Sequence, residues 1–114
     1  MASTRSIDRS FEWGPWDCFA FVTECAGVDT SHMPARTYTG RIGAARYIKR
    51  FGFDSLADLM DSLMPPKPVG FAQRGDVLLK DGCLGICKGT YGLFLAETGY
   101  TRVATVVCER AWAS

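Results

Sequence analysis

Three prolines in four residues, Pro65, Pro66 and Pro68, divide this chain in two. No helix continues through such a run and no central strand crosses it, because proline lacks a backbone N–H and holds φ near one value. The two sides follow different periods. Before the break, apolar residues recur at three- and four-residue spacing; after Gly70, short apolar runs alternate with turn residues. A chain of 114 residues has room for one core and not for two. With 47% hydrophobic residues it can fill that core. The expectation is one α+β domain over residues 13–114, behind an extended arm at residues 1–12. Helices come first, then an antiparallel sheet of about four to five strands.

In the first half, Cys18, Phe21, Val22 and Cys25 recur at i, i+3, i+4 and i+7. This predicts a helix from about Asp17 to Ala26, entered through Pro15 and stopped by Gly27. Trp13-Gly14-Pro15-Trp16 reads as a turn ahead of it. Val28 to Tyr38 reads as a loop. Thr39 is the expected cap of a second helix to Phe51, with Ala44, Ile48 and Phe51 facing inward. Ser55 and Asp58 resemble a capping box for a short third helix ending near Leu63. In the second half, Val77–Lys80, Leu84–Lys88, Tyr91–Glu97 and Arg102–Cys108 read as strands. Asp81-Gly82, Gly89-Thr90 and Thr98-Gly99 read as the turns between them, and Asp-Gly is a strong hairpin signal.

The formal net charge of +1 supplies no electrostatic reason for a nucleic-acid or membrane partner. Met1 to Ser10 hold no apolar run of the signal-peptide kind, and no stretch is long and apolar enough to span a bilayer. The expectation is synthesis in the cytosol, with departure only inside a larger particle. Five cysteines, an odd number, argue against a disulfide framework in such a chain.

Asp17-Cys18 opens the first helix, where the positive end of the helix dipole favours a thiolate. Asp17-Cys18-Phe19-Ala20-Phe21-Val22 resembles the nucleophile motif of NlpC-type cysteine peptidases, a papain-like family. Arg74-Gly75-Asp76-Val77 resembles that family's next strand start. Cys83-Leu84-Gly85-Ile86-Cys87-Lys88-Gly89 resembles the strand after it, which begins with the catalytic histidine. The resemblance runs from Trp13 to Glu97 and implies an NlpC-type fold with Cys18 as a vestigial nucleophile. It departs at the base, since the histidine's place is taken by Cys83 and a thiol does not replace imidazole as a general base. The family's third polar residue falls near Leu95 or Ala96, with Glu97 the nearest candidate. His32, the one histidine, lies in the loop before the second helix.

Cys18 also sits on the apolar stripe of its helix, so an inert core cysteine is the simpler reading. Neither Cys83 with Cys87 nor Cys18 with Cys25 is spaced to chelate one metal ion. A site made of one cysteine from each element stays open, and no cofactor is expected. Arg46, Lys49 and Arg50, with Arg41 nearby, share a helix face that suits solvent or an acidic partner subunit. Trp13 and Trp16 suit either a core or an exposed interface anchor.

The sequence is also similar to small phage and prophage proteins with the same reduced pattern. The shared residues are Trp13 to Cys18, Gly27-Val28-Asp29, Tyr38, Gly75-Asp76-Val77, Leu84-Gly85-Ile86 and Ala111-Trp112. What this similarity implies is a structural component of a phage or gene-transfer-like tail tip or baseplate. The domain would pack on the tail hub or on distal tail proteins, near peptidoglycan. Two other readings stand beside it. One is an active peptidase or amidase cleaving peptidoglycan peptide through Cys18. The other is a non-catalytic binder of that peptide.

Overall fold

A computed structural model describes residues 10–114. The described residues form an α+β fold of three α-helices and one six-stranded antiparallel sheet. The helices are α1 (Cys18–Ala26), α2 (Arg41–Arg50) and α3 (Leu56–Leu63). The strands are β1 (Pro66–Lys67), β2 (Val77–Lys80), β3 (Cys83–Cys87), β4 (Tyr91–Ala96), β5 (Gly99–Ala104) and β6 (Arg110–Trp112). Residues 1–9 of the expected arm lie outside the described residues. Next to it, Glu12 pairs with Trp16 in an antiparallel bridge that closes the Trp13–Pro15 turn.

Local chemistry sets the helix ends. Asp17 caps α1 by accepting the Ala20 N–H at 3.0 Å, and Gly27 ends it in the left-handed region. Ser55 caps α3 by accepting the Asp58 N–H. Thr39 does not cap α2. The helix starts at Arg41, and Gly40 takes the cap position without a side-chain bond.

The sheet has the order β1-β6-β2-β3-β4-β5. A two-residue turn at Asp81-Gly82, both with positive φ, joins β2 to β3. The Gly89-Thr90 turn joins β3 to β4 as expected, closed by the Lys88 N–H to Tyr91 O, and the β4–β5 turn is Glu97-Thr98, one residue before the expected position, with Ala96 opposite Gly99. The expected strand Arg102–Cys108 stops at Ala104. Thr105 is tied back to the preceding turn by its N–H to Thr90 O and its Oγ1–H to Gly89 O, and this diverts the chain into a 3-10 turn. β1 and β6 were not expected. β6 returns to lie between β1 and β2, which moves β2 from the edge to the interior.

The two faces of the sheet carry different cores. Val77, Leu79, Leu84, Ile86 and Leu95 face the helices and meet Phe21, Val22, Leu59 and Met60. Each large side chain buried there contributes about 1.5–3 kcal/mol. Leu78, Cys87, Phe94, Cys108 and Ala111 face the other way, covered by Val69, Ala72 and Val103. On that face the Phe94 ring lies over Gly85, where an added Cβ would stand 2.6 Å from it. Only glycine leaves room for the ring at this position.

Trp16 and Trp112 are core residues, 2% and 0% exposed. Trp16 packs edge-on against Phe21 and cannot serve as an exposed anchor. Among the described residues, no helix is long and apolar enough to cross a membrane.

Candidate functional site

The α1 N-terminus, the loop before α2, α2 itself and the β3 and β4 ends enclose a cleft of about 520 Å3. The volume is in the range of small-ligand sites. Its floor carries Cys18 and Cys83. Trp13, Tyr38, Ala44 and Ile48 form apolar walls, and Asp17, Arg36 and Arg41 supply charge.

The two cysteines come from elements far apart in sequence. α1 packs across β3, so the first turn of the helix rests on the first residue of the strand. There the Cys18 and Cys83 thiols come within range to act on each other's protonation, and both line the cleft. The β3–β4 register runs from Cys87↔Gly92 to Gly85↔Phe94 and ends there. Beyond its end, the Leu95 carbonyl accepts from Cys83 Sγ at 3.4 Å. The Leu84 N–H is directed at the Cys18 sulfur. The opened corner of the sheet thus satisfies backbone groups with thiols.

The electrostatics differ from those of an activated helix-capping thiolate. Cys18 is held well above its ordinary value of 9.0 by the neighbouring Cys83 thiol, by burial and by the negative charge of Asp17, against the Leu84 N–H. Cys83 is lowered by the neighbouring Cys18 thiol and by the Arg41 charge, against its own burial and Asp17. The first thiolate of the pair therefore forms on Cys83. The helix dipole does favour a charge at Cys18. A carboxylate already occupies that end of the helix and has taken the Ala20 N–H.

Asp17 is buried and accepts three hydrogen bonds. They come from the Ala20 N–H, the Gly14 N–H at 3.2 Å and the Tyr38 hydroxyl at 2.5 Å. Burial and the hydrogen bond to Asp17 push the Tyr38 hydroxyl far above the normal tyrosine range, so it remains a donor. Arg36 Nε donates to the Gly14 carbonyl, and its guanidinium lies 5.3 Å from the Phe19 ring centre. These contacts fix the loop wall of the cleft against the α1 entrance.

The other expected residues lie further away. Glu97 is exposed in the β4–β5 turn on the cleft rim, while at the neighbouring position it is the Leu95 backbone that bonds Cys83. His32 is exposed beside Phe51 and lines a separate hollow with Ser62 and Met64. It is not brought to Cys18. Trp13 is half-buried against Phe11 and belongs to the cleft wall. Arg46, Lys49 and Arg50 are exposed on α2, outside the cleft. No group of three or more metal-ligating side chains occurs among the described residues. Arg36 gave no sequence signal, because its partners are a backbone carbonyl and a ring distant in the chain.

Residues 2–114 match the family model described as Domain of unknown function (DUF6950). No curated protein and no solved structure matches the chain.

Proposed function

We propose, for a chain that belongs to the DUF6950 family, a catalytically silent NlpC-type module that packs on the hub or distal proteins of a phage or gene-transfer-like tail tip. The observation that carries the silent reading is the partner of Cys18. A cysteine nucleophile needs a neighbour that accepts its proton near neutral pH and is itself held by a third group. Here the neighbour is Cys83, a thiol whose own proton goes to a backbone carbonyl. Cys18, between burial and that neighbour, is kept as a thiol.

The tail-tip assignment rests on the motif similarity from Trp13 to Cys18 and through Gly75-Asp76-Val77, Leu84-Gly85-Ile86 and Ala111-Trp112. On this reading the domain is made in the host cytoplasm and ends in the particle, close to peptidoglycan. The exposed Arg46, Lys49 and Arg50 suit contact with an acidic neighbouring subunit.

The test has two arms. Purified protein is incubated with soluble peptidoglycan peptides and the products are separated by chromatography. Particles from a producing strain are fractionated into tails and probed for the chain. The expected result is no cleavage above a Cys18→Ser control, together with recovery in the tail-tip fraction. Cleavage that Cys18→Ser abolishes would instead identify an active peptidase. Absence from particles would remove the structural role.

A further inference from the structure

The five cysteines are all thiols, and two of them, from different elements, line the same cleft. Cys87 and Cys108 are buried under the face of the sheet away from the helices. Cys25 lies two turns along α1 from Cys18. Cys18 and Cys83 are brought into range of each other by the packing of α1 on β3, and both line the open cleft. Both are half-buried, so a small reagent entering the cleft reaches them.

We propose that Cys18 and Cys83 form a reversible dithiol–disulfide couple whose co-reactant is a small-molecule disulfide entering the cleft. The inference stands apart from the tail-tip reading and from the absence of peptidase activity. It requires only that two sulfurs on rigid elements, the first turn of α1 and the first residue of β3, lie within range of each other in a place reagent can reach.

The chemistry runs by two exchanges. The Cys83 thiolate, having lost its proton to water, attacks one sulfur of the small disulfide. A Cys83–S–S–R bond forms, the R–S–S–R bond breaks, and one RS⁻ leaves. That RS⁻, or water, takes the proton of Cys18. The Cys18 thiolate then attacks the Cys83 sulfur, forming Cys18–S–S–Cys83 and releasing the second RS⁻, which is protonated from solvent. In sum, two protein thiols are oxidised and one small disulfide is reduced to two thiols. Cys83 is the sulfur that opens the sequence, since Arg41 favours its charge and Asp17 and burial oppose that of Cys18. Excess small thiol reverses every step.

Oxidation also has a structural effect. The sulfur of Cys83 can no longer donate to the Leu95 carbonyl, and α1 becomes covalently joined to β3 across the cleft floor. The oxidation state of the pair would thus change both the polarity and the rigidity of the cleft.

The test uses the full chain, folded, in mixtures of reduced and oxidised glutathione. Samples are quenched in acid, alkylated, digested without reduction and read by mass spectrometry. The expected product is a Cys18–Cys83 linked peptide that disappears again in excess reduced glutathione, with Cys25, Cys87 and Cys108 still alkylated after unfolding. In Cys18→Ser the reaction stops at a glutathione adduct on Cys83. In Cys83→Ser the link is lost. Circular dichroism melts of both variants establish that they are folded, and the wild-type peptide map decides the matter without them. A lasting glutathione adduct on Cys83 of the wild type, with no Cys18 link, would overturn the proposal. So would a link that appears only after unfolding, or no reaction at either cysteine.

Discussion

The Tyr38 hydroxyl donates to Asp17 Oδ2 at 2.5 Å, joining the loop wall of the cleft to the cap of α1. Asp17 is buried and Tyr38 half-buried, and the acceptor is a carboxylate. Hydrogen bonds to charged groups contribute about 1.5–3 kcal/mol. Tyr38→Phe is therefore expected to lower stability by about that amount in urea unfolding. Asp17→Ala is expected to lower it further, because it also removes the helix cap, a loss of about 1 kcal/mol, and leaves the tyrosine hydroxyl without its acceptor.

The same contact makes stability sensitive to alkali. Tyr38 titrates above its ordinary value of 10.0 in the folded chain. Its contribution is complete below that ordinary value, because both folded and unfolded chains are then protonated. As pH rises past it, the unfolded chain ionises first, and stability falls by up to about 1.4 kcal/mol per pH unit until the folded hydroxyl also ionises. Urea midpoints measured above pH 10 are expected to fall more steeply for wild type than for Tyr38→Phe.

Thiol reactivity should follow the order set by the cleft. Alkylation against pH, resolved by cysteine, is expected to show Cys83 reacting at lower pH than Cys18. Cys83→Ala removes the leading cause of the raised Cys18 value, so the Cys18 profile should move to lower pH while remaining above an ordinary thiol because of burial. A Cys18 that reacts first in the wild type would contradict the charge arrangement described here.

Asp76, immediately before β2, anchors the segment after β6. Its carboxylate accepts from Lys67 Nζ at 2.6 Å, the Gln73 N–H at 2.8 Å and the Ser114 N–H at 3.1 Å. Burial alone would push the group up, but these donors outweigh it and its value is lowered. Its contribution is thus complete above the ordinary carboxylate value and is lost as pH falls through the lower folded one. Asp76→Asn is expected to destabilise by about 1.5–3 kcal/mol at neutral pH. The gap from wild type should narrow below about pH 4.

Gly85 is expected to tolerate no side chain. A Cβ there would meet Cγ of Phe94, close to that residue's own backbone, at 2.6 Å. Gly85→Ala should lower stability by about 1–3 kcal/mol through overpacking. Adding Phe94→Ala removes the Cγ and both Cδ atoms that the new methyl would meet, so the double variant should lose less than the sum of the two single losses. Thermal unfolding of the single and double variants measures both effects.

Local signals were legible, and non-local ones mostly were not. The capping chemistry of Asp17, Gly27 and Ser55 and the Asp81-Gly82 turn each involve residues within a few positions of one another, so spacing reveals them. β1 and β6 are two and three residues long. No periodicity can register in so few residues, and their pairing depends on the chain returning from a distance. Thr105 ended the fourth expected strand by bonding to Gly89 and Thr90, a contact that alternation of apolar residues does not announce. In the cleft, helix periodicity placed Cys18 on an apolar stripe but was silent about what it would face. The motif resemblance singled out Cys83, while Tyr38 and Arg36 acquire their roles only through tertiary contacts.

The position of β6 carries a consequence for how the chain reaches this fold. β2 to β5 are sequence neighbours joined by tight turns, and such short-range pairings form quickly. β6 is the last element in sequence and must be inserted between β1 and β2. Until it arrives, Val77-Leu78-Leu79 presents an apolar open edge, the kind of surface that recruits strands from other molecules. Arg110 to Trp112 therefore act as an internal guard against aggregation, and damage to that short strand is expected to reduce soluble yield before it alters the cleft.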